Sequence, residues 1–359
     1  MKKFAWFLTL ILALSIVLSA CGTPAATQAP APAATEAPAQ PTEAPAATQA
    51  PAATEAPAAE PFKVAVVMPS AKNDLAFSQS MYDALLRVQE EMGSDQFQFV
   101  FSENMFVVDD AAAAIRDYAS QGYNLVIAHG SQYGSSLQEI APDFPETSFA
   151  WGTTVDTFGQ PNIFAYEAAS QEGGFVNGVM AATLSKSNVI GVVGPIETGD
   201  AKLYVDGFKA GVLSVKPDAK VNVNYIGSFS DTALAAEAAN THISAGADVL
   251  TGSAQMVVGA IGKAKESNVL WFGTQSNQTS LAPEIVVASQ VYHWEGILKE
   301  MISLIQSGTL GGKSFKADLA NGGEVIEFNP DSKVAADAKT LAETTIKGIT
   351  DGTIKITLP

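Results

Sequence analysis

Between residues 62 and 310 short apolar runs alternate with segments of helical spacing, and this rhythm confines the chain to a narrow set of folds. After its lysine, KVAVVM (63–68) is continuously apolar, the mark of a strand buried on both faces. Met81, Leu85, Val88 and Met92 then recur three to four apart, so 77–92 is predicted to be a helix. FQFVFS (97–102) is the next strand, and Asp109 to Gln121 the next helix, with Asp109 or Asp110 as its cap. NLVIAHG (124–130), TSFAWG (147–152) and NIFAYE (162–167) are strands, with a short helix from Tyr133 to Ala141. After a small-residue helix from Gln171 to Leu184 the rhythm restarts. NVIGVVG (188–194), VNVNYIG (221–227), DVLTG (248–252) and NVLWFG (268–273) are strands, separated by helices near 201–215, 232–245 and 256–266. VVASQVY (286–292) is extended, and a helix follows from about Trp294 to Gln306.

Repeated strand–helix units imply parallel sheets with right-handed crossovers. Two such series in about 300 residues suit two cores rather than one. The expected class is therefore α/β: two doubly wound parallel-sheet lobes joined by a hinge. The first lobe is expected to comprise 62–166 plus about 290–312, the second 167–289 plus about 313–359. In open α/β sheets ligands sit beyond the C-terminal ends of strands, near helix N-termini. Two facing lobes form a cleft that can close on a solute by hinge motion.

The N-terminus has a different character. Lys2 and Lys3 precede an apolar run from Phe4 to Leu18, too short for a typical membrane span but suited to the core of a signal peptide. It ends in Leu18-Ser19-Ala20-Cys21, which resembles the bacterial lipobox, whose cysteine is lipidated and becomes the mature N-terminus. Residues 1–20 are thus expected to be a lipoprotein signal peptide and Cys21 the lipid anchor. Cys21 is the only cysteine, so no internal disulfide can form. Two or more acyl chains hold a protein stably at a membrane. Residues 24–60 contain only small, polar and acidic residues and proline, without an aromatic, a branched aliphatic or a basic side chain. Such composition cannot offset its ordering entropy, so 21–61 is expected to be a disordered Ala/Pro/Thr tether. As a flexible coil it would average about 35 Å end to end.

The formal charge is −17, which disfavours nucleic acid as a partner and suits solubility. Arginine, the usual bidentate clamp for carboxylate and phosphate, occurs only at Arg87 and Arg116, which disfavours an anionic ligand. The three histidines, His129, His242 and His293, are far apart, and with one cysteine they make no His/Cys metal site. No cofactor is implied.

The loops after the strands carry a resemblance. PSAKNDLAFSQSMYDAL (69–85) and GSQYGSSLQEIAPDFPETSFAW (130–151) look like blocks of the basic membrane protein family, which includes purine nucleoside receptors of ABC importers. EAASQEGGFVNGVMAATLSKSNVIGVVG (167–194) and FKAGVLSVKP (208–217) continue the likeness. VNYIGSFSD (223–231), GADVL (246–250) and FGTQSNQTSLAPEIVVASQV (272–291) complete it, in order, across nearly all of 62–310. The resemblance implies a fold like the type I periplasmic binding proteins. It further implies an extracytoplasmic, lipid-anchored receptor that captures a small, purine nucleoside-like solute and delivers it to an ABC permease.

In nucleoside-binding members two phenylalanines, one per lobe, hold the purine; by block position these are Phe77 and Phe229. Aromatic faces in a closing cleft bury apolar area, and offset stacking adds about 0.5–1.5 kcal/mol. Several polar positions depart from the family pattern. Met68 replaces an acid, Ser78 an asparagine, Gly152-Thr153 an acid, and Tyr292 a lysine, while the acidic Gly-x-Asp-x-Asp-Gln block reads Gly273-Thr274-Gln275-Ser276-Asn277-Gln278. The expected polar edge is Asn73, Asp74, Ser78, Asp231, Gln275 and Asn277, with Trp151 and Tyr292 as further walls.

Two rival readings share these features. A ligand-sensing surface receptor of the same fold would present its closed form to a signalling partner. A cleft hydrolase would need a catalytic group, and His129, beside Ser131 at a strand end, is the one placed for it. His129 reads better as a polar contact or a satisfied strand-end residue, since neither GxSxG nor HExxH occurs. GTLGGKS (308–314) lacks the first glycine of a P-loop and reads as a loop.

Overall fold

The computed structural model describes residues 60–332 and 336–358. The expected signal peptide, Cys21 and all but the end of the expected tether lie outside the described residues.

The chain alternates strand and helix as its hydrophobic periods predict. In order it forms β1 (Phe62–Val67), α1 (Phe77–Met92), β2 (Phe97–Ser102), α2 (Val108–Ser120), β3 (Leu125–His129), α3 (Gly134–Ile140), β4 (Ser148–Gly152) and β5 (Ile163–Ala168). Then come α4 (Gln171–Leu184), β6 (Val189–Gly194), α5 (Gly199–Val215), β7 (Lys220–Tyr225), α6 (Thr232–Ser244), β8 (Val249–Gly252), α7 (Val257–Glu266) and β9 (Leu270–Gly273). The last elements are β10 (Val286–Tyr292), α8 (Glu295–Gln306), β11 (Ser314–Ala317), β12 (Glu324–Phe328) and α9 (Ala336–Thr350).

The strands sort into two six-stranded sheets, ordered β11-β5-β4-β3-β1-β2 and β12-β10-β9-β8-β6-β7. The first is parallel throughout; in the second only β12 runs antiparallel, against β10. Each sheet is covered on both faces, which is why its central strands are apolar without alternation. In the first lobe α1 and α8 pack one face and α2 and α3 the other; in the second, α4, α5 and α9 face α6 and α7. The strand order reverses between β1 and β3 and again between β6 and β8, placing one crevice at the C-terminal edge of each sheet.

Helices α4 and α5 meet backbone to backbone. A methyl group on Gly174 or Gly178 would fall 2.5 Å and 2.1 Å from the carbonyl oxygens of Tyr204 and Phe208. One on Gly207 or Gly211 would fall 2.3 Å and 2.1 Å from those of Gln171 and Phe175. Glycine is required there because the facing atoms are backbone and cannot rotate away.

Three connections join the lobes: β5 to α4, β10 to α8, and β11 to β12. Helix α8 docks on α1 through the Arg87–Glu295 and Lys299–Glu91 ion pairs and a bond from Trp294 Nε1 to Ser80 Oγ (2.9 Å). Two expectations need correction. The return to the second lobe, placed at about 313, comes one strand later, because β11 pairs with β5. Phe315 and Ala317 alternate inward there, and Phe315 packs on Phe164 with ring centroids 5.8 Å apart. Asp109 and Asp110 do not cap α2; they lie inside its first turn, where the helix dipole favours acids, and Val107 holds the cap position.

A candidate ligand-binding cleft

A cavity of about 440 Å³, its mouth included, lies where the two crevices face each other. Every strand-end loop that reaches it comes from the C-terminal edge of a sheet. Pro69 and Phe77 follow β1, Phe106 follows β2, Gly130, Ser131 and Gln132 follow β3, and Thr153 follows β4. From the other lobe Thr198, Asp200 and Ala201 follow β6, Phe229 follows β7, Ala254 and Gln255 follow β8, and Gln275 follows β9. Asp200 is the one ionisable side chain among these lining residues.

Phe77 opens α1 and is held rigidly from behind. Its ring stacks on His129 with centroids 3.7 Å apart and planes 6° apart. His129 Nε2 lies 3.0 Å from the Phe77 carbonyl oxygen and Nδ1 2.7 Å from Tyr166 Oη. A carbonyl can only accept, so Nε2 carries the proton and donates, and Nδ1 accepts from the Tyr166 hydroxyl. Burial lowers the His129 pKa to about 3, so the ring is neutral at physiological pH. His129 is thus a satisfied support for Phe77, with both nitrogens occupied. Phe229, half-buried, faces the cavity from the second lobe, and Phe106 stands at its rim.

Asp200 sits in the first turn of α5, where the N–H groups and dipole favour an acid. Its Oδ2 accepts from Tyr292 Oη at 2.9 Å and from Gln275 Nε2 at 3.3 Å. Burial raises its pKa, against the pull of those donors and the Ala201 N–H. Tyr292 Oη also lies 2.7 Å from Ser170 Oγ, at the first connection between the lobes. Gln275 is 2 % exposed, has φ 68°, and its Oε1 has no hydrogen-bond partner among the described residues. Next to it, Ser276 Oγ donates to the Ala76 carbonyl (2.8 Å) and Gln278 Nε2 to that of Leu75 (3.2 Å). These bonds tie the two lobes together within two residues of Phe77 on one side and three of Gln275 on the other.

Of the ten expected ligand contacts, the structure brings Phe77, Phe229 and Gln275 to the cavity. Tyr292 stands behind it, against Asp200. Asp74 turns back on its own helix. It accepts from Ser70 Oγ and from the N–H groups of Ala76, Ser78 and Gln79, which satisfies donors that α1 would otherwise leave free. Ser78 is buried against Ser70, and Asn73 is exposed on the same loop. Asp231 caps α6, accepting from the Ala233 and Leu234 N–H groups. Asn277 is exposed and bonded to Glu327 (2.7 Å). Trp151 donates to the Gly130 carbonyl (3.1 Å) and stacks on Phe158 at 4.6 Å, so its ring braces a cavity loop from outside.

Sequence reasoning missed Asp200, Phe106, Gln132, Thr198 and Gln255. The strand-end rule does reach them: each lies within six residues of the end of a C-terminal strand edge or the helix after it.

Comparison with known proteins places these features in a family. Residues 62–356 match the family model described as ABC transporter substrate-binding protein PnrA-like. A purine-binding protein of Brucella abortus is 27% identical over 293 residues, covering 82% of each chain. An ABC transporter nucleoside-binding protein of Lactococcus lactis is 27% identical over 320 residues, covering 83% of this chain and 89% of its own. Among solved structures, an ABC transporter solute-binding protein from Conexibacter woesei has a TM-score of 0.69 at 20% identity. It covers 83% of this chain and 99% of its own, and shows the same fold.

Proposed function

The chain belongs to the PnrA-like family of ABC transporter substrate-binding proteins, and on that premise we propose that it captures a purine nucleoside or base between Phe77 and Phe229 for import. The observation that carries this reading is the cavity itself: Phe77 and Phe106 from one lobe and Phe229 from the other, beside uncharged polar side chains and a single carboxylate, at both strand-order reversals. A flat, uncharged ring gains from burial between aromatic faces, and no lining cation is available for an anionic ligand. The names of the Brucella abortus and Lactococcus lactis relatives support the same class of ligand. A ligand bridging the lobes favours the closed form by its differential affinity for it.

The receptor works outside the cytoplasmic membrane, held by lipid on Cys21 and delivering its ligand to a permease. The lipobox-like LSAC at 18–21 supports this placement. Two experiments test the proposal. Mass spectrometry of the small molecule released on denaturing the purified protein is expected to find a purine; a sugar or amino acid in stoichiometric amount overturns the ligand class. Cys21→Ser is expected to abolish detergent-phase partitioning, and a variant still processed and membrane-bound refutes the anchor.

A further inference from the structure

Asp200 is a buried carboxylate without a counter-charge. It is 7 % exposed and is the one ionisable side chain that lines the cavity. Its bonds come from neutral groups: the Tyr292 hydroxyl at 2.9 Å, the Gln275 amide at 3.3 Å and the Ala201 N–H. These donors occupy lone pairs but bring no positive charge. Among the described residues no lysine, arginine or histidine forms an ion pair with Asp200. Lys202, two residues on, pairs with Asp206 instead. Carboxylates are almost never buried without a cationic partner. Glu167 adds to the negative field, and burial raises the Asp200 pKa in spite of its donors. The cleft is therefore short of one positive charge.

The other walls define the kind of cation that would supply it. Phe77, Phe106 and Phe229 line the same space from three different strand-end loops. A metal ion needs several oxygen or imidazole ligands, and the cavity offers a single carboxylate. Aromatic faces attract a desolvated cation, and a flat ring that carries the charge stacks on them as well. A neutral purine satisfies the phenylalanines and leaves Asp200 unpaired; a positively charged purine satisfies both. Resting on the purine reading above, we propose that the cleft selects purines bearing a positive charge, as ring-N-methylated nucleosides and bases do, with Phe77 and Phe229 on the ring faces and Asp200 as the counter-ion. The net charge of −17 draws a cation toward the protein in the same sense.

Calorimetric titration of the full chain near pH 6.5 tests this with purines matched in size and differing in charge. 1-methyladenosine is compared with N6-methyladenosine, and 7-methylguanosine with N2-methylguanosine; in each pair the first is cationic and the second neutral. The wild type is expected to bind the cationic member about tenfold or more tightly in both pairs. Asp200→Asn, which keeps the shape and removes the charge, is expected to bring both ratios below about threefold. The ratio is internal to each protein, so a reduced folded fraction does not mimic its loss, and the wild-type ratio needs no variant. Wild-type ratios within about threefold of one, or a preference that Asp200→Asn leaves unchanged, overturn the proposal and leave the purine reading standing. If the wild type binds none of the four, the purine reading falls and the proposal with it.

Discussion

Acid should weaken the fold through His129, and the size of the effect follows from the site. In the unfolded chain the imidazole titrates near 6.5; in the fold, burial holds its pKa at about 3. Above 6.5 both states are neutral and pH has no leverage through this group. Below 6.5 the unfolded state binds a proton that the folded state refuses, so stability falls by about 1.36 kcal/mol per pH unit until the folded pKa is reached. At pH 5 the loss is about 2 kcal/mol, and below pH 3 it levels off near 5 kcal/mol. Buried carboxyls with raised pKa values, Asp200 and Glu324 among them, act with the opposite sign, so the total curve is not diagnostic. The difference between wild type and His129→Asn isolates the term. Urea unfolding at pH 7.5 and pH 5 should show the wild-type advantage narrowing by about 2 kcal/mol. An advantage constant within about 0.5 kcal/mol refutes the claim that His129 is held neutral beneath Phe77.

Two further outcomes follow from local geometry. Gly178→Ala places a methyl 2.1 Å from the Phe208 carbonyl oxygen, so α4 and α5 must separate. Thermal or urea unfolding should show a loss of about 1–3 kcal/mol, and a neutral result would mean that the helices do not pack at their glycines. Asp231→Ala should cost about 1 kcal/mol by uncapping α6, with ligand affinity unchanged; a large affinity loss with normal stability would place Asp231 in the site after all.

The architecture was legible because parallel strands buried on both faces are written as unbroken apolar runs, as in β1 after its lysine and in β6. β11 and β12 escaped because they are edge strands of four and five residues, only partly buried, and their alternation is too short to stand out. Phe77, Phe229 and Gln275 were expected as ligand contacts from the block resemblance, and they line the cavity because each lies just after a strand. Asp200 was not expected, because its burial is made by Tyr292 and Gln275, which are remote in sequence and meet it only through the hinge. Asp74 and Asp231 illustrate the converse. Both follow strands and precede helices, and the same position that suggests a ligand contact also makes a helix cap; in both, the helix's own N–H groups took the carboxylate.

The central claim is that a flat ring is held between Phe77 and Phe229. Calorimetric titration of the wild type, Phe77→Ala and Phe229→Ala with a purine nucleoside and a free purine base tests it most directly. The expected result is saturable binding of at least one of them by the wild type, weakened about tenfold to hundredfold by each substitution. Binding that neither substitution alters would contradict the account, as would tight binding of a sugar or amino acid in place of the purine.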